Sequence, residues 1–179
     1  MAIFHSIIEA VEQQRPGYAA SIGYTPDETE APTGIPDGLG SIFNFAIGTP
    51  HGVADQRMMD LLPGYRLMLA SEIPAVRQQL QDFYSADDLF NVQSRTPFLA
   101  NYSSDYYLAD DDDNGVYWLD HQGGTSRVSP NVDTFLRTTL RCYQQGAYRM
   151  ASDGMLEMDD ELELQIALRL NPDCDYWLE

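Results

Sequence analysis

Lysine is absent from this 179-residue chain, and all ten of its Lys and Arg positions are arginine. Aspartate and glutamate together number 28, which gives a formal net charge of −18 at pH 7. A field of this sign repels the phosphates of nucleic acids and attracts basic proteins, so we expect no nucleic-acid partner. The same acidity is typical of surfaces adapted for solubility or for high salt. The composition does not decide between such an adaptation and recognition of a basic partner.

Cysteine is nearly absent as well. Cys142 and Cys174 are the only two cysteines, and they do not form a Cys-x-x-Cys pair. This predicts a reduced, cytoplasmic protein without a disulfide framework or structural zinc. No apolar run approaches the roughly 20 residues that a bilayer span needs, and the N-terminal stretch lacks the cationic segment and cleavage site of a signal peptide. We therefore expect no membrane contact.

The motifs of common enzymes are also missing. His5, His51 and His121 fall in separate predicted elements without metal-ligand spacing. No Gly-x-Ser-x-Gly nucleophile motif occurs, and the glycines near residue 40 lack the Gly-Lys-Ser/Thr ending of a phosphate loop. The sequence therefore predicts a protein that is not an enzyme and has no cofactor.

One stretch organises the chain. Residues 106–108 and 116–119 favour strands, and the turn between them contains Asn114-Gly115, which predicts a β-hairpin. We expect residues 98–102 to pair beside this hairpin. A helix is predicted to follow Asn131 and to bury one apolar face against the sheet: Phe135, Leu136, Leu140 and Tyr143.

The flanking segments add helices and one strand. Amphipathic spacing predicts a helix over 3–14, a second from Ile35-Pro36 to Gly48, and a third that buries Val76, Leu80 and Phe83. Residues 65–69 read as a strand, and 16–34 as a loop with a short extended piece at 18–24. Residues 162–170 alternate like a strand, but their acidic start and the Asn171-Pro172 stop fit a helix, which we predict. Tyr176 and Trp177 are expected to pack the tail onto the body.

The order of these features resembles the SUKH superfamily, the Smi/Knr-type domains. The matching positions are the Ile35-Pro36 helix through Leu39, Ile42 and Phe43 to Gly48, then Tyr65-x-Leu67, Phe98-Leu99-Ala100, Asp105-Tyr106-Tyr107-Leu108, Gly115-Val116-Tyr117, Phe135-Leu136, and Asn171-Pro172 with Trp177.

The resemblance implies one α+β domain over 1–179, most recognisable over 35–136, with helical and loop flanks at 1–34 and 150–179. Its central, largely antiparallel sheet would be edged by helices. It also implies a non-enzymatic role: many bacterial members are immunity proteins that neutralise a co-encoded toxin, often a nuclease. Fungal members are regulatory binding proteins, so a regulatory scaffold is an alternative.

The hairpin turn is the predicted partner-binding site. Four adjacent carboxylates must face water or a cation, and flanking aromatic side chains on an open sheet face would supply anchors. The predicted site residues are Asp110, Asp111, Asp112, Asp113, Tyr106, Tyr107 and Trp118. An alternative is a metal- or ligand-binding protein, or a small enzyme, that uses Asp110 to Asp113 together with His121. Asp110, Asp112 and Asn114 match the start of a calcium loop, but His121 stands where a bidentate glutamate is required.

Overall fold

A computed structural model of the chain describes residues 3–84 and 92–178. Asp87 and Asp88, which the sequence places just before the central unit, lie outside these ranges. The helices are α1 (Ile3–Gln14), α2 (Tyr18–Ser21), α3 (Gly40–Phe43), α4 (Ile73–Tyr84), α5 (Val132–Gln145) and α6 (Asp160–Leu170). The strands are β1 (Arg66–Leu67), β2 (Arg95–Ala100), β3 (Tyr106–Asp110), β4 (Val116–Leu119), β5 (Thr125–Ser129), β6 (Tyr148–Met150) and β7 (Leu156–Met158).

The central sheet is antiparallel throughout, and its strands follow chain order from β1 to β5. The predicted hairpin is confirmed as β3–β4, in which Tyr107 faces Trp118 across the ladder. β2 pairs with β3 as expected, although it spans 95–100 instead of 98–102. With helices around this central sheet and a separate two-stranded sheet of β6 and β7, the fold is α+β, as the sequence predicts.

The sheet carries apolar side chains on both faces, and different helices cover them. On one face, the ring of Phe135 from α5 meets Phe98 at 5.6 Å and Tyr107 at 5.4 Å between centroids. Helices α1 and α6 pack against α5. On the other face, Leu80 of α4 joins Leu108 and Leu119 in a smaller cluster. Both faces are therefore occupied where the predicted anchors lie.

Helix α5 begins where the sequence predicts, directly after Asn131. The Asn131 side chain accepts a hydrogen bond from the Thr134 N–H at 2.7 Å, which caps the first turn. Gly146 ends the helix at a φ of 81°, which favours glycine. Of the predicted core residues, Phe135, Leu136 and Tyr143 are buried, and Leu140 is partly buried against the core.

Arg15, at the end of α1, is a buried cation. Only 1% of its surface is exposed. Its guanidinium donates to the backbone carbonyls of Arg57 and Asp60 and, at 2.6 Å, to the Tyr143 hydroxyl. It also lies 4.4 Å from the centroid of the Tyr18 ring. One side chain thus joins α1, α2, α5 and the loop before β1.

The second predicted helix is wrong in its extent. The chain forms a 3-10 turn at Asp37–Leu39 followed by the single turn of α3, because Gly38 and Gly40 weaken a continuous helix. Gly48 is needed where the segment ends: at its φ of 112°, an added Cβ would lie 2.1 Å from the Met68 carbonyl oxygen. The strand predicted over 65–69 is shorter in the structure, where only β1 (Arg66–Leu67) forms.

Three further expectations need correction. Residues 18–21 form the short helix α2 instead of an extended piece. Phe83 is 79% exposed, because Tyr84 packs on the small cluster in the place expected of Phe83. The β6–β7 hairpin has no counterpart in the sequence prediction.

The C-terminal predictions are confirmed. Residues 160–170 form α6, and the Asp159 carboxylate caps it by accepting from the Leu162 N–H at 3.0 Å. The Trp177 indole N–H donates to the Val128 carbonyl at 2.8 Å, which holds the tail against β5. Among the described residues, none of the helices combines the length and apolar character required to cross a bilayer.

Candidate partner-binding site

The β3–β4 turn holds the four consecutive aspartates, and its first member is buried. Asp110 is 6% exposed. One carboxylate oxygen accepts from the N–H groups of Asp112 and Asp113, at 2.9 and 3.3 Å, and the other accepts from Arg95 at 3.1 Å. Asp110 thus faces a cation, the Arg95 guanidinium, which is one of the two surroundings expected for these carboxylates, and its hydrogen bonds offset the cost of its burial.

Asp111 and Asp113 are exposed but paired. Arg77 of α4 donates to Asp111 at 2.8 Å. Asp113 accepts from the Tyr117 hydroxyl at 2.7 Å and from the Gly115 N–H at 2.6 Å, and Arg127 of β5 lies 3.5 Å away. Partial burial opposes ionisation of Asp113, but these hydrogen bonds and the Arg127 charge hold its pKa below the ordinary value.

The four carboxylates of the turn face three guanidinium groups, so this cluster keeps one net negative charge. Arginines from β2, α4 and β5 thereby fix the turn from three sides. Asp112, at the tip of the turn, is also exposed. The charge of the turn is therefore largely compensated by ion pairs, and most of the chain's negative charge lies elsewhere.

Two sequence-local features shape the turn itself. Asn114 takes a φ of 58°, a left-handed conformation that asparagine tolerates. An added Cβ on Gly115 would lie 2.7 Å from an Asp113 oxygen and 2.9 Å from the Tyr117 ring. The Asn-Gly pair is thus required where the sequence predicts the turn.

The three predicted aromatic anchors do not share an open face. Tyr107 is 8% exposed and lies beneath Phe135, so a partner cannot reach it. Trp118 is half-buried, donates to the Tyr65 hydroxyl at 2.8 Å and meets the Tyr176 ring. Tyr106 lies on the opposite face, partly buried beside the α4 cluster. The structure therefore gives these residues mainly packing roles.

A cleft beside the turn was not expected from the sequence. It has a volume of about 220 Å³ and lies between the 36–39 segment, the turn and the start of α5. Asp37, Asp110, Asp111 and Asn114 contribute polar side chains to its wall. The fold thus brings a fifth carboxylate, Asp37, to the acidic turn, together with a recess beside it.

The calcium-loop alternative finds no supporting geometry. His121 lies at the far end of β4 from Asp110, and its ring nitrogen pairs with Asp105 at 3.0 Å. Over 3–84 and 92–178, no group of three or more His, Cys, Asp or Glu side chains is arranged to hold a metal ion.

A partly buried carboxyl, that of Glu163, lies beside a small cavity. Burial raises the pKa of Glu163, and the Tyr148 hydroxyl donates to it. The adjoining cavity has a volume of about 10 Å³, room for roughly one water molecule. This space is too small for a metabolite, and we assign it a structural role.

The arginine partners of the turn are the main feature that sequence reasoning missed. Arg95 faces Asp110 directly in the β2–β3 ladder, so the correct strand register would have predicted that pair. Arg77 lies 34 residues from Asp111 along the chain, and its contact depends on how α4 docks on the sheet. No pattern of neighbouring residues in the sequence indicates this contact.

No protein-family model matches this chain, and no curated protein matches it. Function must therefore be inferred from the chain's own charge, geometry and chemistry.

Proposed function

We propose that this protein is a non-enzymatic binding module that neutralises a basic protein, as an immunity protein neutralises a co-encoded toxin. The observation that carries the proposal is the net charge of −18. Such a field accelerates the approach of a positively charged partner and repels nucleic acid. The resemblance to SUKH domains in the order of sequence motifs points to the same role.

The contacts within the β3–β4 turn support a role for this turn in recognition of the partner. Asp111, Asp112 and Asp113 are exposed, and ion pairs with Arg77 and Arg127 limit the movement of Asp111 and Asp113. A partner that binds carboxylates already held in place loses less conformational entropy than one that must order them. The turn therefore suits local contacts and orientation, while the whole chain supplies the long-range attraction.

The cleft beside the turn supports a basic side chain as the group recognised. Three aspartates, Asp37, Asp110 and Asp111, are among the residues that line it. A volume of about 220 Å³ accommodates one extended side chain. An arginine from the partner would bring a planar guanidinium that matches carboxylate geometry.

Removing the exposed charges of the turn is expected to slow association. The variant is Asp111→Asn, Asp112→Asn and Asp113→Asn together; Asp110 is kept because it is buried against Arg95. We expect association with the product of the adjacent gene to slow roughly 3- to 10-fold at low salt, with a smaller change in dissociation and a weaker salt dependence. Surface plasmon resonance at two salt concentrations measures all three quantities.

The matched control removes three exposed charges elsewhere: Asp27→Asn, Glu30→Gln and Asp173→Asn. Both variants have the same net charge, so any difference between them reports position. Equal slowing in the two variants would mean that only total charge matters. Unchanged rates in the turn variant at both salt concentrations would exclude the turn from the encounter.

A further inference from the structure

Exposed apolar side chains are concentrated in the C-terminal part of the protein. Among the described residues, four of the seven large exposed hydrophobic side chains lie after residue 150. The seven are Ile47, Phe83, Tyr102, Met155, Met158, Leu164 and Leu178. Single exposed apolar residues are ordinary, but a concentration in one part of the chain calls for an explanation.

Helix α6 carries two apolar faces, and this follows from its alternating sequence. Ile166 is buried in the core, and Leu162 and Leu170 pack against it. At 100° per residue, Leu164 and Leu168 lie roughly 200° and 240° from Leu162 around the helix axis. The pattern that resembled a strand therefore turns two leucines away from the core; Leu164 is 41% exposed, and Leu168 is partly buried.

Carboxylates flank this outer pair of leucines. Asp160 and Glu161 are exposed in the first turn of α6. They precede Leu164 by four and three residues, the spacing at which helical side chains are neighbours. The positive end of the helix dipole accounts for acidic residues in a first turn, but it does not account for the exposed leucine beside them.

We propose that Asp160, Glu161, Leu164 and Leu168, here called the α6 surface, form the contact for a basic protein partner. An apolar side chain of the partner would cover Leu164, and lysine or arginine side chains beside it would meet the two carboxylates. The proposal rests on the proposed function and adds a second contact surface to the β3–β4 turn.

The charge of the α6 surface favours one class of partner over nucleic acids, anionic lipids and a second copy of this chain. Carboxylates beside the leucines repel the phosphates of nucleic acids and of anionic lipids. They would also face one another across a contact between two copies of this chain, each with a net charge of −18. A basic protein segment with an apolar side chain complements both features of the surface.

Two variants test the α6 surface with the adjacent gene's product as the probe. Leu164→Gln with Leu168→Gln removes the apolar pair and keeps good helix formers. We expect it to weaken binding about tenfold or more, mainly through faster dissociation. Asp160→Asn with Glu161→Gln should mainly slow association. Thermal midpoints and circular dichroism spectra close to those of the wild type verify that each variant is folded.

Phe83→Gln is the control, because Phe83 is exposed on α4, which packs on the other face of the sheet. Unchanged binding by both α6 variants, or equal weakening by Phe83→Gln, overturns the α6 surface and leaves the proposed function standing. Failure of the wild-type chain to bind overturns the proposed function, and the α6 surface with it. Light scattering that shows a wild-type dimer, dissociated by the leucine variant, identifies a self-association surface and also overturns the proposal.

Discussion

Replacing Arg15 with methionine is expected to lower the free energy of unfolding by about 3–5 kcal/mol. The change keeps an apolar stem but removes the donors for the Arg57 and Asp60 carbonyls and for the Tyr143 hydroxyl. Because Arg15 is 1% exposed, water cannot easily replace those hydrogen bonds. Urea denaturation followed by circular dichroism measures the loss.

The charge balance around Arg15 adds to this effect. Burial raises the pKa of Asp60, and the nearby Arg15 charge opposes that rise. Without Arg15, the carboxylate form of Asp60 would lose a compensating charge, and its pKa would rise further. Arg137→Met, at an exposed position of α5, should change the free energy of unfolding by no more than about 0.5 kcal/mol. A loss below about 1 kcal/mol for Arg15→Met would show that this buried contact is not as described.

Replacing Phe135 with alanine is expected to cost about 3–5 kcal/mol. The side chain is 6% exposed and lies where α5 meets the sheet, in ring contact with Phe98 and Tyr107. Its truncation would leave a cavity. Because the sheet and α5 are held together by other contacts, they cannot readily move to close it. Denaturant titration of the variant and the wild type gives the difference.

Phe83→Ala is the matched control for this change, because it removes the same atoms from a side chain that is 79% exposed. Its effect should stay within about 0.5 kcal/mol. If Phe135→Ala costs less than about 1 kcal/mol, or if the two variants lose equal stability, α5 does not pack on the sheet as described.

The elements that the sequence predicts well are those with strong local chemistry. Asn114-Gly115 marks the β3–β4 turn, and Asn131 marks the start of α5. Helix α6 follows from the acidic residues of its first turn, which outweigh the strand-like alternation. In each case, a few neighbouring residues determine the backbone conformation.

The elements that the sequence predicts poorly depend on the rest of the fold. Gly38 and Gly40 permit either a helix or a broken segment, and tertiary packing selects the break. β6 and β7 have three residues each, too few for a clear alternation pattern. The exposure of Phe83 depends on how α4 docks, which its helical spacing alone cannot give.

The candidate site also combines features that the sequence predicts with features that depend on the rest of the fold. Its carboxylates are visible in the sequence, but their compensation by Arg77, Arg95 and Arg127 arises from docking and strand register. Asp37 reaches the turn from a segment more than 70 residues away in the sequence. From charge alone, the sequence predicts an exposed acidic turn. In the structure, arginines pair with the carboxylates of this turn, and a cleft lies beside it.

The most direct test of the central claim is a growth measurement in a bacterial host. The product of the adjacent gene is expressed from an inducible promoter, alone or together with this protein. We expect the product alone to stop growth and the wild-type chain to restore it, with weaker rescue by the Leu164→Gln, Leu168→Gln variant. Growth that stays inhibited beside the wild-type chain, or an adjacent product that does not affect growth, would contradict neutralisation as the function.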